Sequence, residues 1–208
     1  MRQLPNILSL ARLIATVVVF VLVLINQPWA FFTACVLFVL ASVTDFFDGY
    51  LARRYHVVSS LGVFLDLTAD KVLVAAVLIA MVQVGFVPAW VVFVIVAREF
   101  LVSGLRSMAA AKGHVIPAGM WGKQKTFITL VAMSALLLAK GLGGSQLSLF
   151  PLVLNFGSHT LGFGDWLLLV ADVLLILAVI WTAFSGIEYM VGALPIFRKE
   201  SEKNTSQA

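Results

Sequence analysis

Six long apolar runs set the terms on which this chain can fold. They cover Ile7–Ile25, Trp29–Phe47, Leu61–Val82, Pro88–Met108, Phe127–Ala139 and Trp166–Met190. A helix needs roughly 20 apolar residues to cross the hydrocarbon of a bilayer, and most of these runs reach that length. The fifth is short, and its helix is expected to begin earlier, near Met120. The chain has 208 residues, 62% hydrophobic and only 12% charged, a profile that excludes an ordinary soluble domain. The expected fold is all-α. Residues 1–199 would form one polytopic integral membrane domain of six transmembrane helices, with a disordered polar tail over 200–208.

The basic residues orient that bundle. Connections around Asn26–Pro28 and Gln83–Val87 hold no Lys or Arg, and Lys140 is the one cation expected on their side. The opposite side holds Arg2, Arg53, Arg54, Lys112, Lys123, Lys125, Arg198, Lys199 and Lys203. The positive-inside rule then puts both termini in the cytoplasm. A net charge of +4 spread over span ends and loops reports topology, so nucleic acid is not an expected partner. Cys35 lies within a span and is read as a small apolar packing residue. The first run lacks a small-residue cleavage site and is read as a retained span, which favours a bacterial inner membrane. Gly141–Asp165 reads as a long external loop, with Asp165 capping the last helix. Asp172 has no assigned role, and Glu188 is equally compatible with a cavity or a surface position.

Between the second and third runs lies DFFDGYLARRYHVVSSLGVFLDLTAD, Asp45 to Asp70. Asp45 and Asp48 are three apart and Asp66 and Asp70 four apart, spacings that put each pair on one face of a helix. A charged group at the centre of a transmembrane helix costs roughly 2.5–3.5 kcal/mol unless paired or hydrated. Four aspartates therefore have to face an internal polar cavity, where oxygen-liganded divalent cations are the natural compensation. Two carboxylate pairs can hold two such ions, clamp a diphosphate and stabilise attacking and leaving oxygens. Mg²⁺ suits these donors, and Mn²⁺ is the alternative. One acid left free of metal can accept a proton from an attacking hydroxyl; residue type alone does not choose Asp70 over Asp66.

Asp45-x2-Asp48-Gly49-x2-Ala52-Arg53-x8-Gly62-x3-Asp66-x3-Asp70 resembles, at every specified position, the signature of the CDP-alcohol phosphotransferases. The resemblance implies that Asp45, Asp48 and Asp66 are metal ligands and that Asp70 is the general base, with Asp70 also at the metal cluster. It implies that Gly49, Ala52 and Gly62 shape the cytidine diphosphate site and that Arg53 contacts a phosphate. A homodimer is the assembly it suggests. The N-terminal PNILSLAR, Pro5–Arg12, is similar to the start of the bacterial phosphatidylglycerophosphate synthase branch of that family, where it borders the nucleotide. Asn6 and Arg12 are thus expected on the CDP-diacylglycerol side, Arg12 needing an anionic partner within its span.

Arg98, Glu99 and Arg106 lie in the fourth run, and Lys123 and Lys125 follow in GKQKT. Arg98 and Arg106, eight apart, lie near one helical face and can converge on an anion; the alternative for Arg98 and Glu99 is a structural ion pair. AREF and GKQKT again resemble the phosphatidylglycerophosphate synthase branch, which implies glycerol 3-phosphate as acceptor, bound by Arg98, Arg106, Lys123 and Lys125. The expected reaction joins CDP-diacylglycerol and glycerol 3-phosphate at the cytoplasmic face, among membrane lipids. Phosphatidylglycerol, serine or inositol phosphate are the alternative acceptors. A divalent-cation transporter is the rival from outside the enzyme class, and it leaves the glycine, alanine and arginine intervals unexplained.

Overall fold

The computed structural model describes residues 4–55, 60–111, 120–150, 152–154 and 161–205, with side chains described over most of 9–44, 68–111, 122–150 and 161–192. Six helices carry the described chain: α1 (Leu4–Ile25), α2 (Pro28–Tyr55), α3 (Ser60–Gln83), α4 (Ala89–Ala111), α5 (Met120–Gly141) and α6 (Phe163–Thr205). Between α5 and α6 sits a short antiparallel hairpin, β1 (Leu147–Leu149) and β2 (Leu152–Leu154), in which Ser148 faces Val153.

Local chemistry explains where the helices stop. Asn26 takes a left-handed conformation, φ 55°, which Asn tolerates better than most residues, and Pro28 then opens α2 at a position that needs no N–H donor. At the end of α3, Phe86 N donates to Met81 O at 2.9 Å and Gly85 N to Val82 O at 3.0 Å. At the end of α5, Gly144 N donates to Ala139 O at 2.9 Å and Gly143 N to Lys140 O at 3.1 Å. Both are Schellman closures, and each places a glycine, Gly85 or Gly143, at a positive φ that a side chain would strain.

The pairings close a ring. α1 packs on α2 and α3, α3 on α4, α4 on α6, α6 on α5, and α5 on α2. Its interior is one apolar cluster to which every helix contributes, including Val19, Phe38, Leu73, Ile95, Met133 and Leu175. The polarity of the ring is inverted relative to a water-soluble bundle. On α1, Ser9, Arg12 and Thr16 are buried while Leu10, Ile14, Val17 and Val21 are exposed. On α6, Asp172, Thr182 and Ser185 are fully buried while Trp166, Val173, Ile180 and Phe184 are exposed. An apolar outer belt of this extent suits hydrocarbon rather than water. Among the described residues, Phe163–Gly192 is long and apolar enough to cross a membrane, and Ser9–Ile25 and Pro28–Thr44 are shorter apolar helices.

Two expectations need correction. The segment after α5 is not wholly a loop: the hairpin is held from below by α6, where Asp172 Oδ2 accepts from Ser148 Oγ at 2.9 Å and from Leu149 N at 2.7 Å. Asp165 is not the N-cap of α6. It stands at the third helical position, its Oδ2 accepting from Gly162 N at 3.0 Å, while its Oδ1 accepts from Ser145 N and Gln146 N at 2.8 Å each. This is the reciprocal half of a capping box, extended to tie down the turn after α5. The backbone of α6 is helical through Thr205.

Candidate active site

The aspartate motif divides between two helices. Asp45, Asp48, Gly49, Ala52 and Arg53 lie on α2, and Gly62, Asp66 and Asp70 on α3. Of the acids, Asp70 has a described side chain. The side chains of Asp45, Asp48, Gly49, Ala52, Arg53, Gly62 and Asp66, like those of Asn6 on α1 and Lys123 on α5, lie outside the described residues. Both motif helices pack on α1, whose buried stripe at this end is Ser9, Arg12 and Thr16, with Arg12 only 4% exposed.

Asp70 lines a cavity of about 340 Å³ between α3, α4 and α5, a size that accommodates a small polar substrate. Its charged wall is Asp70 and Lys71 from α3, Glu99 from α4 and Lys125 from α5. Hydroxyls add to it: Thr68, Ser103, Ser107, Thr126 and Thr129. The other walls are apolar, with Val72, Ile95 and Phe100 among them. Asp70 is ten residues into α3, roughly 15 Å along the axis, so the cavity reaches well inside the ring.

Lys125 is nearly buried, and its Nζ forms an ion pair with Glu99 Oε1. The same oxygen accepts from Arg98 Nη1 at 3.0 Å. One carboxylate thus joins two cations, leaving the triad with a net positive charge beside Asp70, whose own charge is within electrostatic reach of Lys125. A cation held here by an acid it shares with Arg98 can exchange that partner for an incoming anion.

Of the four cations expected together, Lys125 lines the cavity and Arg98 backs it through Glu99. Arg106 is exposed and does not join them; eight residues overshoot two helical turns by roughly 80°, which turns it away from Arg98. The structural ion pair foreseen for Arg98 and Glu99 is present, with Lys125 as a third member. Glu188 takes the exposed option.

Several neighbours were missed in sequence. Ser103 and Ser107 follow Glu99 at four-residue intervals, and Thr126 and Thr129 are three apart, so those polar stripes in apolar runs were a usable signal. Tyr189 had no such signal. Its ring lies 5.7 Å from Arg98 Cζ, a contact across 91 residues of chain that only the α4–α6 pairing creates.

Residues 2–184 match the family described as CDP-alcohol phosphatidyltransferase. A protein of Bacillus subtilis named CDP-diacylglycerol–glycerol-3-phosphate 3-phosphatidyltransferase is 39% identical over 202 residues, covering 91% of this chain and 94% of its own. One of the same name from Rickettsia bellii is 44% identical over 73% of this chain and 82% of its own. A probable phosphatidylglycerophosphate synthase of Mycobacterium tuberculosis is 35% identical over 92% of this chain and 82% of its own. The signature, the helical ring and the extent of these matches have one conclusion: the chain belongs to the CDP-alcohol phosphatidyltransferase family.

Proposed function

We propose that this protein transfers the phosphatidyl group of CDP-diacylglycerol to glycerol 3-phosphate, giving phosphatidylglycerophosphate and CMP. The observation that carries the reading is the cavity in which Asp70, the motif's last acid, meets Lys125 and its ion-pair partner Glu99. A proton acceptor and an anion site share one space there, as an acceptor with a hydroxyl and a phosphate requires. Curated relatives bearing that activity in their names, matched over most of both chains, support the same assignment.

In this reading Lys125 binds the acceptor phosphate, with Arg98 holding charge behind it. Asp70 takes the proton of the attacking hydroxyl. The hydroxyl oxygen forms a bond to the phosphorus that carries diacylglycerol, and the bond from that phosphorus to the CMP oxygen breaks. Asp45, Asp48, Asp66 and Asp70 would hold two divalent ions, Mg²⁺ or Mn²⁺. The backbone positions support this: counted from the 56–59 connection, Asp48 is seven residues into α2 and Asp66 six into α3, while Asp45 and Asp70 are each ten in. At 1.5 Å per residue each helix would carry its pair about 10 and 15 Å from that connection. An all-carboxylate donor set suits hard cations, and such ions, when bound, neutralise the diphosphate and the charge that develops on it. Arg12 from α1 and Asn6, Gly49, Ala52, Arg53 and Gly62 would frame the donor; Lys123, two residues nearer the start of α5 than Lys125, would stand nearer the mouth for the acceptor.

We place residues 1–199 in the inner membrane of a bacterium as one six-span domain, both termini and the motif cytoplasmic, assembled as a homodimer. Helices of 22 or more residues, each roughly 33 Å or longer, support six spans, and the basic residues support the orientation. CMP release from CDP-diacylglycerol in detergent with Mg²⁺ tests the reaction, comparing glycerol 3-phosphate with phosphatidylglycerol, serine and inositol phosphate. Turnover confined to glycerol 3-phosphate is expected; turnover with another acceptor alone, or none from folded protein, would overturn the proposal.

A further inference from the structure

Arg98 reaches its place by a route that the aspartate motif does not contain. Its stem crosses Gly186 of α6, where an added Cβ would lie 3.1 Å from Arg98 Cγ. Its guanidinium lies within cation–π distance of the Tyr189 ring, 5.7 Å from the centroid, and Tyr189 is only 9% exposed. Gly122 of α5 closes the same space: a Cβ there would lie 3.8 Å from Arg98 Nη2 and 4.0 Å from the Tyr189 ring. The buried Nε of Arg98 has no hydrogen-bond partner among the described residues. The guanidinium plane is therefore set by the aromatic ring and by the bond from Nη1 to Glu99, and Glu99 in turn holds Lys125 in the cavity wall.

We infer that Tyr189, with Gly186, is a positioning residue for the anion site: α6 sets Arg98, Arg98 sets Glu99, and Glu99 sets the ammonium of Lys125 that meets the acceptor phosphate. The inference rests on the acceptor reading above. It assigns α6 a role in acceptor recognition although α6 contributes no residue to the cavity wall described. A rotated guanidinium would release Glu99 Oε1 to Lys125 alone and draw the ammonium back from an incoming phosphate.

The test uses the full chain in detergent with Tyr189→Leu, Tyr189→Phe and Gly186→Ala. Each variant is measured for KM of glycerol 3-phosphate, KM of CDP-diacylglycerol, kcat, and competitive inhibition by inorganic phosphate. Tyr189→Leu should raise the glycerol 3-phosphate KM and the phosphate inhibition constant together by about tenfold, the scale of a desolvated cation–π contact, with kcat and donor KM within about twofold. Tyr189→Phe keeps the ring and should fall well short of the leucine variant's shift in both constants. Gly186→Ala, which displaces only the arginine stem, should show the same signature at smaller amplitude and stands in if the leucine variant does not fold. Equal changes in both KM values, unchanged phosphate inhibition, or a phenylalanine variant as impaired as leucine would each overturn the inference. A parent protein that releases no CMP with glycerol 3-phosphate would instead strike at the proposed function.

Discussion

The ring buries charge at both ends, and it does so in opposite ways. At the hairpin end, both oxygens of Asp165 and Oδ2 of Asp172 accept from backbone N–H groups and one hydroxyl of the segment after α5. Lys140, also there, lies over the Phe86 ring at 4.2 Å. Backbones meet closely: a Cβ on Gly164 would lie 2.8 Å from Leu142 O and 3.0 Å from Gly144 N. At the motif end, Asp70, Glu99 and Lys125 face open space, and their compensation comes from one another. Carboxylates closed on rigid backbone donors make a fastening. Carboxylates compensated by side-chain cations beside a cavity make a site that can exchange partners when a ligand arrives.

That contrast can be broken from either end. Asp70→Asn should lower turnover by about 10²–10⁴-fold, the usual worth of a general base, while the melting temperature stays at the parent value; near-normal activity would remove Asp70 from the base role. At the hairpin end the expected effects are on stability alone. Gly164→Ala should destabilise by about 1–3 kcal/mol, as overpacking against backbone does, read as a lower Tm in detergent with both KM values unchanged. Asp172→Ala leaves Leu149 N–H without its acceptor, while the Ser148 hydroxyl keeps Phe150 O at 3.0 Å, and should cost about 1–3 kcal/mol, with hydrogen exchange at Leu149 accelerated and kcat retained. A large loss of kcat in either variant would mean that the two ends are not independent. Lys140→Met should be the smallest change, about 0.5–1 kcal/mol for an exposed or half-buried cation–π contact, visible only in Tm.

Much of the architecture was legible because it depends on residues close in sequence. Run length marked the helices, Met120 was recognisable as the start of α5, and the signature brought Asp70 forward before any contact was known. What was not legible depends on distant pairings. LSLFPLVL reads as an apolar loop interrupted by Pro151; its three-residue strands acquire their partner only when Asp172, more than 20 residues on, reaches them. Asp165 looked like a cap because it opens an apolar run, but the cap position falls one turn earlier, beside Gly162. Tyr189 carried no sequence signal, because its contact with Arg98 exists only through the pairing of α4 and α6. Arg106 was grouped with Arg98 by a spacing that misses helical periodicity by a fifth of a turn or more.

The central claim is that the Asp70 cavity receives a phosphate-bearing acceptor through Lys125. Titrating glycerol 3-phosphate against CMP release for the parent and for Lys125→Gln tests it most directly. The account predicts saturable, acceptor-dependent release by the parent and a rise of at least about tenfold in glycerol 3-phosphate KM for the variant, as expected for loss of a charged hydrogen bond, with donor KM unchanged. An unchanged glycerol 3-phosphate KM in Lys125→Gln would contradict it.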